Sequence, residues 1–174
     1  GLYEDLTVRQ CLTYAAWVQG CAAADTGPLV RAAAERLDIA DRLEEKAGSL
    51  SRGLKQRLAI AQAIIHQPEF LILDEPASGL DPDARFRLSN LLVQLRDDGM
   101  TLLVSSHILS ELEDYATDLI VIRDGRIASQ GPMTGASDID QGERLTITLA
   151  APDARLETIL SAEDGVSAIG IEKR

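Results

Sequence analysis

Two adjacent carboxylates, Asp74 and Glu75, end the apolar run Phe70, Leu71, Ile72, Leu73. In open parallel sheets ligands bind beyond the carboxyl ends of the strands, so this is the address of a site. Neighbouring strand residues point to opposite faces; one carboxylate can then hold a hydrated Mg²⁺ while the other orients a water. Pro76 is expected to keep Glu75 extended. Acidic residues after a strand equally serve as caps for the next helix.

Three further groups have chemical potential. Ser51, Arg52 and Gly53 stand at the predicted start of a helix, where free N–H groups, the helix dipole and a small residue admit a phosphate. Residues 51–58 carry Arg52, Lys55 and Arg57 and no acid, whereas residues 69–83 hold five acids and no base. Ordinary capping with solvated charges accounts for the same residues. Ser78, Gly79, Leu80 and Asp81 form a turn into a helix at Pro82, with Asp81 as its cap. His107 follows a second apolar strand, which puts an imidazole at the same sheet edge as Glu75, either to meet phosphate charge or as a structural side chain. His66 is accounted for as a favourable partner of a helix C-terminus.

The elements that must position these groups alternate in type. Thr7 to Val18 and Pro28 to Asp38 read as helices, and Ser51 caps a third that runs to Pro68. Phe70 to Leu73 reads as a strand covered on both faces, and Thr101 to Ser105 as a second buried strand. Between them lies a helix from Pro82, closed by Asp98 and Gly99, with Leu88, Leu91, Leu92 and Leu95 inward. A helix around Leu109 to Tyr115 precedes two strands joined by Asp124 and Gly125, a tight hairpin pair. Strand, helix, strand, helix, hairpin means an α/β fold. Residues 132–142 read as a linker, and residues 143–174 as a small α+β module.

Four segments occur in order at short spacing: LSRGLKQRL from Leu50, FLILDEP from Phe70, SGLD from Ser78 and SSH from Ser105. Together they resemble the nucleotide-binding subunits of ABC transporters, in particular those of ABC-2-type exporters, over residues 1 to about 131. The resemblance implies a partial P-loop NTPase fold with a parallel-sheet core and a helical subdomain. It divides the chain into a helical and signature subdomain (1–67), the C-terminal half of an ATPase core (68–131), the linker and the accessory module. It makes Leu50, Ser51, Arg52, Gly53 and Leu54 the signature that faces ATP, Asp74 the Mg²⁺-binding Walker B residue and Glu75 the catalytic base. Ser78, Gly79, Leu80 and Asp81 become the D-loop, and His107 the switch histidine.

The implied partners are a transmembrane permease and a second ATPase subunit in a head-to-tail dimer, on the cytoplasmic face of a membrane. Arg52 departs from the family pattern, which has glycine there. No lysine of the 174 residues follows a glycine, so the Walker A segment and the Q-loop glutamine are expected upstream in a longer protein, and the chain alone is expected to be inactive.

Composition sets the outer bounds. Seventeen Lys and Arg against 28 Asp and Glu leave a net charge of −11, which argues against a broad grip on nucleic acid or anionic lipid. The uncharged stretch Cys11 to Ala24 falls short of the roughly 20 apolar residues of a membrane span. Cys11 and Cys21 suit reduced cytosolic thiols, and no signal peptide precedes them. A non-catalytic docking module is the alternative at the stated length. An ABC-type ATPase of DNA repair is disfavoured by the acidic charge and the lack of heptads before Ser51. Without upstream strands, an exposed apolar sheet surface and self-association are expected.

Overall fold

In the computed structural model, which describes residues 3–133, the chain opens with three helices whose ends are set by local chemistry. Helix α1 (Val8–Val18) starts at a reciprocal capping box: Thr7 Oγ1 accepts from Gln10 N–H, and Gln10 Oε1 accepts from Thr7 N–H. Helix α2 (Ala23–Arg36) starts five residues before Pro28, which sits inside it rather than at its first position. Ala22, Ala23 and Ala24 are strong helix formers, and a proline in the second turn forfeits a single backbone bond. The helix also stops earlier than expected, because Asp38 adopts φ +52°. Helix α3 (Arg52–Ile64) is capped by Ser51 and ends short of Pro68, with Gln67 at φ +56°.

These helices pack through small and branched residues, with Cys11, Leu12, Ala16, Val30, Ala34, Leu58 and Ala61 all essentially buried. Alanine at several contact positions lets the axes approach closely. Arg57 of α3 is buried too; its guanidinium donates to Asp38 Oδ2 at 2.9 Å, tying α3 to the end of α2. Gln62 Nε2 donates to the Cys11 carbonyl at 3.2 Å and locks α3 to α1.

The chain then changes period. Strand β1 (Phe70–Asp74) pairs in parallel with β2 (Thr101–Ser105), in a register that sets Asp74 opposite Ser105. Helix α4 (Pro82–Asp97) connects them and buries Leu88, Leu91, Leu92 and Leu95 on one stripe. Leu71 and Leu73 join the same core, whereas Phe70 is 50% and Ile72 65% exposed, and Leu103 on β2 is 48% exposed. Neither strand is therefore covered on both faces: among the described residues, burial alternates along β1. Helix α5 is only Leu109–Leu112, with turns carrying the chain on to Tyr115.

Strands β3 (Asp118–Arg123) and β4 (Arg126–Pro132) form an antiparallel hairpin, with Asp124 at φ +50° and Gly125 at φ +71° in the two-residue turn. The fold is α/β with a parallel strand pair and a helical region ahead of it. Strand β4 takes in Pro132, the first residue of the linker expected over residues 132–142; the remainder of that linker beyond Met133 and the module of residues 143–174 lie outside the described residues. No helix among the described residues is long and apolar enough to cross a membrane.

Tyr115 is buried, and burial, with Glu111 and Asp114 nearby, pushes its phenol from 10.0 up to about 12. Below pH 10 the phenol is neutral in folded and unfolded chains alike. Between pH 10 and about 12 only the unfolded chain ionises, so this contribution to stability is complete below that window and lost across it. Tyr115→Phe is expected to flatten the fall in stability from pH 10 to 12 in urea unfolding; an unchanged slope would contradict the burial argument.

Candidate functional site at the strand ends

The parallel register assembles the first cluster. Ser105 Oγ donates a short hydrogen bond to Asp74 Oδ1 and accepts from Glu75 N–H at 3.0 Å. The same N–H lies 3.2 Å from the Ser105 carbonyl. Serine at the end of β2 thus fixes both acidic residues, one through its side chain and the other through its backbone.

Glu75 is not extended, contrary to the effect expected of Pro76. Its φ is +43°, and its carbonyl accepts from Ser78 N–H at 3.0 Å, closing a turn with Pro76 in its second position. A residue before proline is kept out of the right-handed helical region, and this tight turn takes the left-handed one. Such a φ costs a non-glycine residue about 1–3 kcal/mol.

The Glu75 carboxylate meets His107, with Oε1 3.0 Å from Nδ1. Their side chains are 45% and 65% exposed, so the pair is worth at most about 1 kcal/mol. The backbone bonds, rather than the ion pair, hold the cluster. A carboxylate only accepts, so Nδ1 carries the proton of this bond.

The loop bearing His107 is anchored from behind. Ser106 Oγ accepts from Ile108 N–H at 3.0 Å and donates to Glu111 Oε2 at 3.1 Å. Glu111 is buried, and its Oε1 lies 3.2 Å from Arg85 Nε on α4, an ion pair without hydrogen-bond alignment. The sequence reading gave no role to Ser105, Ser106, Arg85 or Glu111. Their one signal was position, since Ser105 and Ser106 lie directly before His107.

The second cluster surrounds the start of α3. Ser51 Oγ accepts from Leu54 N–H at 3.3 Å. Gly53 packs on α4 so closely that a Cβ there would lie 3.0 Å from Ala84 Cβ. The three basic residues of this segment are engaged: Arg57 with Asp38, Lys55 with Glu4 at 3.3 Å, and Arg52 with the Ser78 carbonyl at 3.0 Å. The positive charge inferred from composition is therefore largely turned to intramolecular partners. Leu50 and Leu80 are buried and Leu54 half-buried, so their backbone is the part available to a ligand. Asp81 Oδ1 accepts from Ala84 N–H at 2.9 Å, and Pro82 takes the first position of α4.

Ser78 joins the two clusters. Its N–H bonds to Glu75 and its carbonyl to Arg52. Asp74 makes no ion pair among the described residues, and these contain no group of three or more ligands suited to a metal. A single open carboxylate whose other oxygen is hydrogen-bonded fits Mg²⁺, which keeps most of its shell as water and phosphate oxygen. It does not fit an all-protein cage. Cys11 and Cys21 are free thiols, and burial raises the Cys11 pKa.

Tyr3 meets Tyr14 of α1 edge to face with centroids 5.6 Å apart, and Trp17, three residues after Tyr14 on the same helix, is 61% exposed. Tyr3, Tyr14, Val18, Ala59 and Gln62 line a shallow groove between α1 and α3.

A family model described as ABC transporter matches residues 2–78. The uncharacterized ABC transporter ATP-binding protein YxlF of Bacillus subtilis (strain 168) is 30% identical over 167 residues, which cover 96% of this chain and 55% of that protein. Nod factor export ATP-binding protein I of Burkholderia thailandensis is 38% identical over 130 residues, or 75% of this chain and 43% of the relative. The structure of cbiO1 from Clostridium perfringens, part of the ABC transporter complex cbiONQ, superposes with TM-score 0.72 at 28% identity, covering 78% of this chain and 54% of that one. The ADP conformation of MJ1267, an ATP-binding cassette of an ABC transporter, shares the fold with TM-score 0.68 at 24% identity, over 78% and 60%. The chain spans about half the length of the curated relatives it matches.

The strain at Glu75 can be measured without any ligand. Glu75→Gly is expected to be more stable than Glu75→Ala by about 1 kcal/mol in urea unfolding, because glycine accepts φ +43° freely. Alanine being the more stable of the two would mean the backbone is relaxed there.

Proposed function

We propose a function that proceeds from one premise: the chain belongs to the ABC transporter ATP-binding family. In the complete protein these residues bind ATP with Mg²⁺ and promote its hydrolysis, and a transmembrane permease uses the energy for transport. The observation that carries this reading is the pairing of Glu75 with His107 beside Asp74, at the open end of two parallel strands.

Each residue has a distinct task. Asp74 would hold Mg²⁺, which when bound offsets the charge of the phosphate oxygens. Glu75 Oε2, the oxygen not engaged by His107, accepts a hydrogen bond from the attacking water and aligns it with the γ-phosphorus. His107 donates through Nδ1 to Glu75, so it can also donate through Nε2 to a phosphate oxygen only as the doubly protonated cation. The weak, exposed Glu75–His107 pair lets the carboxylate turn to water at little cost.

The helix α3 end works differently. Residues 50–54 present backbone N–H groups and the positive end of the helix dipole, which suit the terminal phosphate of a nucleotide held by a second subunit. Gly53 keeps that surface low. Residues 78–81 lie between the two clusters and would meet the partner subunit. This head-to-tail arrangement also explains how an exposed site would lose its water: a second subunit closes over it. The aromatic surface of Tyr3, Tyr14 and Trp17 is the contact for the permease, large apolar side chains being costly to leave in water. The work is done on the cytoplasmic face of the membrane.

In the complete protein, Glu75→Gln is expected to lower ATP turnover by about 100-fold or more while Mg·ATP still binds, since the amide cannot take up a proton. Turnover within twofold of the parent would remove Glu75 from this role.

A further inference from the structure

Arg52 occupies a position where its charge was expected to face phosphate, yet its side chain is committed elsewhere. Nη2 donates to the Ser78 carbonyl at 3.0 Å. The guanidinium lies over Gly79: a Cβ built there would stand 2.5 Å from Cζ, Nη1 and Nη2 alike. Gly79 has φ +67°, so glycine is favoured there for its backbone as well as for the space it leaves. Arg52 and Gly79 are thus complementary in shape, the long side chain filling the volume that the missing Cβ vacates.

We propose that Arg52 is a positioning residue that braces the turn of residues 78–81 against the start of α3. A planar guanidinium suits this better than an ammonium, because it covers the flat glycine backbone while one N–H remains aimed at a carbonyl. Ser78 also donates to the Glu75 carbonyl, so the brace runs from the helix end through the turn to the strained residue at the strand end. The two clusters then move as one body. The glycine common at position 52 in the family has no side chain with which to make such a contact. The consequence for turnover rests on the composite site proposed above; the brace itself does not.

Amide hydrogen exchange on the complete, nucleotide-free protein tests the brace. Ser78 and Leu80 N–H donate to Glu75 and Ala77 carbonyls. With Arg52→Ala, their exchange is expected to quicken about threefold or more, the effect of losing one exposed charge-assisted bond. Arg52→Lys should recover part of the protection. Gly79→Ala should push the guanidinium off Ser78 and quicken the same amides with Arg52 still present. In that background Arg52→Ala should then add little. Unchanged exchange in Arg52→Ala, or fully additive effects in the double variant, would overturn the proposal.

Turnover separates this from the function proposed above. With both standing, Arg52→Ala lowers kcat several-fold and leaves KM for ATP within about twofold, because the turn is misplaced while the backbone N–H groups of residues 50–54 keep their places. Faster exchange with unaltered turnover would uphold the brace and remove residues 78–81 from the catalytic interface.

Discussion

The parallel register of β1 and β2 is the constraint on which the rest depends. Because Asp74 lies opposite Ser105, one serine hydroxyl reaches Asp74 and the Glu75 amide together, and His107 arrives two residues later at the right height to meet Glu75. A slip of one residue would exchange the faces of every side chain on the strand and separate all four groups. Helix α4 backs the strand pair from the core side, its four leucines lying in the same buried core as Leu71 and Leu73. The same helix holds Arg85 against Glu111, and so secures the loop of His107 from behind.

Electrostatics at the site are organised by commitment rather than by composition. Arg52, Lys55 and Arg57 all have intramolecular partners, so the start of α3 offers backbone amides and a dipole more than side-chain charge. The acidic end of β1 stays open to solvent. A polyphosphate approaching these two clusters would find carboxylate on one side and N–H groups on the other, a polarity that suits a cation at Asp74 and an anion at residues 50–54. The chain's overall charge of −11 makes that local division more telling than any global field.

Much of this was legible in the sequence, and the exceptions have physical causes. Ser51, Asp81, Gly99 and the Asp124, Gly125 pair signalled their caps and turns because each acts locally. The leucine stripe of α4 was readable for the same reason. Pro28 misled, since a proline marks a helix start only when stronger formers do not precede it. The run Phe70 to Leu73 suggested a strand covered twice, but what covers a strand depends on its neighbours in space. Glu75 was misjudged because the turn, closed by Ser78, overrides the preference that Pro76 imposes. The destination of Arg52 could not be read at all: its partners are 26 and 27 residues away, and composition reports a charge without saying where it points.

The central claim is that these residues form one half of a site completed by a second subunit. Sedimentation of the complete Glu75→Gln protein, with and without Mg·ATP, tests it most directly, because slowed hydrolysis should hold the nucleotide between subunits. A shift from monomer to dimer that requires Mg·ATP, and that disappears when Ser51 is replaced by arginine, is the predicted result. A protein that stays monomeric at saturating Mg·ATP, or whose dimer forms regardless of nucleotide and of Ser51, would contradict it.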